Sequence, residues 1–304
     1  MYKRQTFTYT VEAGDTSSDL DYTSNGLSLN SGTIKDKAGN DATLTLATPG
    51  ASNSLGANKA IVIDTTKSTV TNVTSSTTND DYGEEASDTV SIQVVFDEVV
   101  YVDVSGGTPT LELETGSTDR TATYTSGSGT KTLVFSYTVK SGDTSSDLDF
   151  KSTSALSLNS GTIKDAAGND ATLTLASPGA SGSLGANNAL IIDTTAPSAP
   201  SSLTTTSTTT SDTTPTITGS AEANSTVKLY SGSTLLGSAT ADSDGAFSIT
   251  SSALSEGSYS LTATATDAAS NTSVSYTHLD AADEGLGVDL GGRRIIKKNR
   301  GGGG

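Results

Sequence analysis

Cysteine and tryptophan are missing from the 304 residues, methionine and histidine occur once each, and aromatics are 5%. Without cysteine there is no disulfide, no thiol nucleophile and no cysteine metal site. The one histidine, His278, lies near the end of the chain, so serine–histidine and cysteine–histidine catalysis have no base in the body of the sequence. No run of ~20 apolar residues is present, and no helical membrane span is expected. No charged-then-apolar leader opens the chain. Basic residues are scarce, 17 against 34 acidic ones, for a formal net charge of −17. Such a surface repels nucleic-acid phosphates, so no nucleic-acid partner is expected. Converging carboxylates would attract divalent cations. The same acidity also serves simply to keep a long chain in solution. Neither the phosphate-cradling GxxxxGK[ST] pattern nor the calcium-binding GGxGxD repeat occurs.

What is present is duplication. Residues 28–66 and 157–195 share SLNSGTIKD, AGNDATLTLA, PGAS, SLGAN and IDTT, and GDTSSDLD stands at 14–21 and again at 142–149. The offset is 128 residues before Tyr22 and 129 after Leu27, so one copy carries a single-residue insertion. That period is too long for a solenoid unit and matches a whole domain. A tandem array of independently folded modules is expected.

Short alternating segments fill both copies. Thr89–Phe96 puts Val90, Ile92, Val94 and Phe96 on one face. Val99–Val104, Thr110–Glu114, Arg120–Thr125 and Thr130–Val139 follow, then Thr172–Ala176 and Ala189–Asp193, with Thr69–Thr74 before them. Period-two alternation punctuated by Gly, Asn, Asp and Ser predicts an all-β sandwich. No sustained helical stripe occurs, although DTSSDLDF could hold one helical turn. By homology with Leu133–Val139, Phe7, Tyr9 and Val11 are expected on one side of a half-buried strand, and further strands are expected at Thr43–Ala47 and Ala60–Asp64. The divisions are then a partial module at 1–66 lacking its first half, a complete module at 67–194 and a smaller one at 195–273. The chain is expected to be an internal piece of a longer protein. Pro197 and Pro200 stiffen the second boundary, and the Ser/Thr-rich 201–211 is expected to continue it. Within the third module, Val227/Leu229, Phe247/Ile249 and Tyr259/Leu261/Ala263/Ala265 are expected to point inward.

The tail 274–304 resembles translated sequencing adapter. The transposase end sequence of short-read libraries gives Val274 to Leu279, an adapter segment gives Asp280 to Glu284, and a flow-cell primer complement gives Val288 to Ile296. The tail is expected to be disordered and is excluded, and His278 goes with it. The remainder carries 12 basic and 30 acidic residues, a net charge of −18.

TPTITGSAE, VKLY, LLGSATAD, DGAFSI and TATATDAA resemble the bacterial Ig-like repeat of large surface adhesins and biofilm-associated proteins. SDTVSIQVVFDEVV, GGTPTLELETG and GTIKDAAGND resemble a longer module of similar giant proteins. The resemblance implies tandem immunoglobulin-like β-sandwiches at the bacterial cell surface, repeated as a stalk that holds a binding tip outward. It also implies partners in the form of neighbouring repeats of the same chain and an unidentified host-cell, surface or matrix ligand. Family members often stiffen their linkers with calcium.

Four places could supply calcium ligands, each beside a plainer reading. The DxAGN group recurs as Asp36/Asn40, Asp165/Asn169 and Asp267/Asn271, with Ser270 where the others have glycine. It reads either as a source of hard oxygens or as a hairpin turn capped by Asp. Ser270 puts the shared backbone geometry in question. Asp64 and Asp193, each followed by Thr-Thr, sit at module ends. There they could join a neighbour's acidic loop around one Ca2+, or merely end a strand in water. Asp242-Ser243-Asp244-Gly245 resembles half an EF-hand loop but reads better as a tight turn, and the acidic loop Asp80, Asp81, Glu84, Glu85, Asp88 as a solvated end. No catalytic constellation emerges and no enzyme is expected. The expected role is that of structural extender repeats of an extracellular adhesin. The alternatives are a carbohydrate- or protein-binding module, or an ancillary region of a secreted hydrolase.

Overall fold

The computed structural model describes residues 6–83, 88–205, 211–275 and 287–289. It is all-β apart from two single helical turns. The middle module opens with β1 (Val70–Ser75) and β2 (Asp81–Tyr82). There follow β3 (Thr89–Asp103), β4 (Thr110–Leu113), β5 (Arg120–Ser126) and β6 (Thr130–Thr138). Short strands β7 (Thr144–Ser145), β8 (Leu156–Ser157), β9 (Thr162–Asp165) and β10 (Ile191–Asp193) complete it. One sheet runs β1-β3-β6-β5-β4-β8 with β9 on the far half of β3, and a second is β2-β10-β7.

The two expected strands at 89–96 and 99–104 are one strand, β3, whose pairing shifts register between Val95 and Val100. Asp97 sits at the break. Its carboxylate accepts the Thr69 N–H and hydroxyl, both at 2.8 Å. Before the break β3 pairs with β1 and β6; after it, with β9 and, at Val100, again with β6. Val90, Ile92, Val94 and Phe96 are all buried, each burial being worth about 1.5–3 kcal/mol. Opposite them lie Leu133, Phe135 and Tyr137 of β6, Leu148 and Phe150, and Ile192 of the small sheet, all in one core. Tyr124 packs edge-on against Phe135 at 5.8 Å.

Several expectations are corrected. Thr172–Ala176 is extended chain with a single parallel bridge to Thr69 rather than a strand. DTSSDLDF holds no helix; its start is β7. The helical turns are α1 (Leu55–Asn58) and α2 (Leu184–Asn187), where Ser54 and Ser183 cap the LGAN sequence by accepting N–H bonds from Ala57 and Ala186. In the first copy, Phe7, Tyr9 and Val11 belong to no strand and are 75%, 56% and 47% exposed. Their counterparts Phe135, Tyr137 and Val139 are at most 3% exposed. The physical reason is the partner. β6 is flanked by β3 and β5, whereas residues 7–11 pair with no strand among the described residues. Thr43–Ala47 and Ala60–Asp64 likewise form no strand beyond one bridge, Ser17 to Ile63.

The last module has its own core. Its strands are β11 (Ser201–Thr205), β12 (Thr216–Ser220), β13 (Thr226–Ser231), β14 (Thr234–Thr240), β15 (Ala246–Thr250) and β16 (Ser258–Thr266). Sheet β11-β12-β15 faces β14-β13-β16, with Ile217, Phe247 and Ile249 against Val227, Leu229 and Ala263. The expected linker at 201–211 therefore contributes a strand, β11, paired to β12. Tyr259 and Leu261 are only partly buried, less than the alternation suggests. Most of the tail 274–304 lies outside the described residues; within it Gly287–Asp289 forms β17, beside Ser258–Ser260.

Candidate functional site

The D-x-A-x-N segments form one turn three times. In the middle module the Asp165 N–H donates to the Asn169 carbonyl at 3.0 Å. Asp165 Oδ1 accepts the N–H groups of Ala167 and Asn169, and Oδ2 accepts the Asn169 amide at 2.8 Å. Asp36 and Asn40 repeat these bonds at the surface. The Asp36 carboxyl is held below its usual range by the Asn40 side chain first and the Asn40 backbone second. Asp267 and Asn271 do the same at 2.8 and 3.0 Å. Ser270 adopts φ 69°, the left-handed conformation Gly168 takes at 94°, so the geometry is shared. A side chain there costs about 1–2 kcal/mol.

Two of the three turns reach across a module boundary. The Asn169 amide also donates to the carbonyls of Asp64 at 3.1 Å and Thr66 at 3.3 Å. The Asn271 amide donates to the Asp193 carbonyl at 2.8 Å. Both contacts join a module's D-x-A-x-N turn to the I-D-T-T segment that ends the module before it. Asp64 and Asp193 cap their own threonines, accepting the N–H of Thr66 and Thr195. At the second boundary Gly83 lies so close that a Cβ would stand 2.4 Å from the Ala269 carbonyl and 2.8 Å from Asn271 Oδ1. Any side chain there would force the modules apart.

At the first boundary the carboxylates of Asp64, Glu98 and Asp165 have oxygens within 4.8 Å of one another. Asp165 is buried and the other two are partly so. Burial raises the Glu98 pKa, and the neighbouring carboxylates Asp165, Asp64 and Asp97 raise it further. Such hard, anionic oxygens suit Ca2+. The first boundary thus gathers Asp64 and Asp165 of the expected residues, with Asn169 clasping the linker. Asp36 and Asn40 form an exposed turn. Asp193 and Asp267 belong to no group of three carboxylates among the described residues, and Glu84 and Glu85 of the acidic loop lie outside them. Asp242 caps a tight turn, accepting the N–H of Asp244 and Ala246.

Glu98 is not among the residues that the sequence singles out. Its signal is the acidic pair Asp97-Glu98 inside the apolar run VVFDEVVYV: Asp97 is spent on the bulge, which leaves Glu98 on the module's end.

A second polar centre lies beside the second boundary. Asp143 is fully buried and accepts Arg120 Nε, the Tyr137 hydroxyl, both at 2.7 Å, and the Lys140 N–H. Its backbone carbonyl accepts the Thr194 hydroxyl. Burial and the Asp143 carboxylate raise the Tyr137 pKa well above the usual tyrosine range. Tyr9, Asp15 and Thr65 repeat this arrangement in the first copy, with no arginine beside them among the described residues.

Residues 188–281 match the family described as bacterial Ig-like domain. No curated protein matches the sequence. Among solved structures, the chain is similar to a biofilm-associated protein's BSP domain. The identity is 19%, over 68% of this chain and 29% of that one, with a TM-score of 0.22. It is similar to the fibronectin(III)-like modules of Clostridium thermocellum CbhA (11%, 67% and 90%, TM-score 0.29). It is also similar to the D0-D1 domain of intimin (16%, 68% and 96%, TM-score 0.19). The chain spans less than a third of the biofilm-associated protein.

Proposed function

We propose that the chain is a stretch of extender modules from a bacterial surface adhesin, which spaces a binding tip from the cell, and that Ca2+ stiffens at least its first junction. The observation that carries the reading is the duplicated junction: one turn, D-x-A-x-N, twice donates its asparagine amide to the end of the preceding module. A stalk needs this. Small cores touching only at their ends otherwise swing about their linkers. In this reading Asp64, Glu98 and Asp165 hold the ion, Asn169 and Asn271 lock the linkers, and Asp36 with Asn40 offers the same turn to a further repeat. An ion there would offset the repulsion of three carboxylates and tie two modules together.

The test is thermal melting of the full chain with Ca2+ and with chelator, beside spin-label distances across residue 66. Ca2+ is expected to raise the melting temperature and narrow the distance distribution, and Glu98→Gln to remove both effects. An unchanged melting temperature and distribution in the parent chain would remove the calcium proposal. The pH dependence has a definite sign. Glu98 binds its proton more tightly folded than unfolded, so in chelator its contribution is most favourable at low pH and is lost as pH rises through its raised pKa. Ca2+ should abolish that loss.

A further inference from the structure

The first and last segments of the middle module lie side by side and run in the same direction. The Val73 N–H donates to the Gly182 carbonyl at 2.9 Å. The Asn187 amide donates to the Val73 carbonyl at 2.7 Å and to Asn72 Oδ1 at 2.8 Å. Asn188 Oδ1 accepts the Ser75 N–H at 2.8 Å and the Thr74 hydroxyl at 2.9 Å. The Ile191 N–H donates to the Asp80 carbonyl at 3.1 Å. Strand β10 then pairs in parallel with β2, Ile191 beside Asp81 and Ile192 beside Tyr82. Partners advance together from 73 to 82 and from 182 to 192, and the seam is parallel throughout. Leu184 and Leu190, both fully buried, anchor the later segment in the core.

We propose that this seam is a mechanical clamp, which makes the module resist tension applied through its ends. The proposal rests on the reading of the chain as a stalk. Tension enters ahead of β1 and leaves after β10, at opposite ends of the seam. Two parallel segments pulled that way must slide past each other, so their bonds bear the load together. An antiparallel hairpin pulled from its open end gives way one bond at a time. The two asparagines extend the seam where backbone pairing is interrupted. The helical turn α2 has no strand edge to offer β1, and side-chain amides supply the missing donors and acceptors. Asn188 must accept from Ser75, which explains an amide at this place. Lys59 stands at the equivalent place in the first copy. A lysine donates and cannot accept, so copies of the module differ in how many bonds their seams can hold.

The full chain, tethered by both ends and stretched in optical tweezers, tests this. Unfolding of the middle module is identified by a length gain of roughly 40 nm, about 128 residues at up to ~3.6 Å each less the span of the folded module. The double variant Asn187→Ala/Asn188→Ala is expected to unfold about tenfold faster at fixed force. Leu156→Ala in β8, compared at equal loss of chemical stability, is expected to change that rate far less. Equal acceleration by both variants would overturn the clamp. A second measurement leaves the seam asparagines in place. Handles at Asp80→Cys and Thr195→Cys load the seam from one end and are expected to open the module at well under the end-to-end force. Equal forces in the two directions would also overturn it. Failure of the clamp leaves the calcium melts unaffected, and failure of the calcium reading leaves the force anisotropy unaffected.

Discussion

Asp143 shows what a single side chain does in a protein with few large residues. It is fully buried and gathers Arg120, the Tyr137 hydroxyl and the Lys140 N–H, while its carbonyl holds Thr194 at the start of the linker. Removing the carboxylate leaves the Arg120 charge without its partner. Arg120 is 28% exposed, so water recovers part of the loss. Asp143→Ala should therefore cost about 3 kcal/mol, at the low end for a broken buried pair. Tyr137→Phe should cost about 1.5 kcal/mol, one hydrogen bond to a charged acceptor. Urea unfolding of the middle module measures both. The sequence offered GDTSSDLD as a repeated block, but nothing in it set the first aspartate apart from the others. Its burial comes from Tyr137 and Arg120, which only the folded sheet brings to it.

At the scale of elements, the same pattern meets two fates. Leu133, Phe135 and Tyr137 alternate into the core of β6, and Phe7, Tyr9 and Val11 alternate in the same way into solvent. Amides of 133–137 should exchange at least about a thousandfold more slowly than those of 7–11, the difference between global opening and frayed chain; hydrogen exchange by NMR reads it directly. The D-x-A-x-N turn gives the complementary case, in which one element survives a change of residue. Ser270→Gly should stabilise the last module by about 1 kcal/mol, because glycine takes φ > 0 without a Cβ penalty, and Gly168→Ala should destabilise the middle one by about the same. Thermal melts of the two variants check the opposite signs. Strand faces were legible because a period of two needs only a list of apolar residues. The bulge in β3 and the strand β11 were not. The first depends on Asp97 reaching Thr69, and the second on hydroxyl-rich chain finding β12 beside it.

At the scale of the molecule, the described residues form two separate apolar cores, one from 73 to 192 and one from 217 to 263. The Asn271 amide and a close approach at Gly83 join them. Cores that share no side chains unfold as separate units, so calorimetry should resolve two transitions. Asn271→Ala removes one bond of about 1 kcal/mol between them. It should lower the melting temperature of the last module by a few degrees and leave the core of the middle one intact. An equal drop in both transitions would mean that the modules form one cooperative unit.

The sequence by itself determined the all-β class, the tandem copying, the inward faces of most strands and the poverty of catalytic groups. Those properties follow from residue type and spacing along one dimension. The tertiary structure alone decided which acids meet, which side chains cross a boundary and which way terminal segments run. Glu98 joins Asp64 and Asp165 at the point where the pairing of β3 shifts register. Asn169 reaches Asp64 across 105 positions, and Asn187 reaches Val73 across 114. Contacts at such separations depend on where the backbone returns in space, and no local pattern encodes that return.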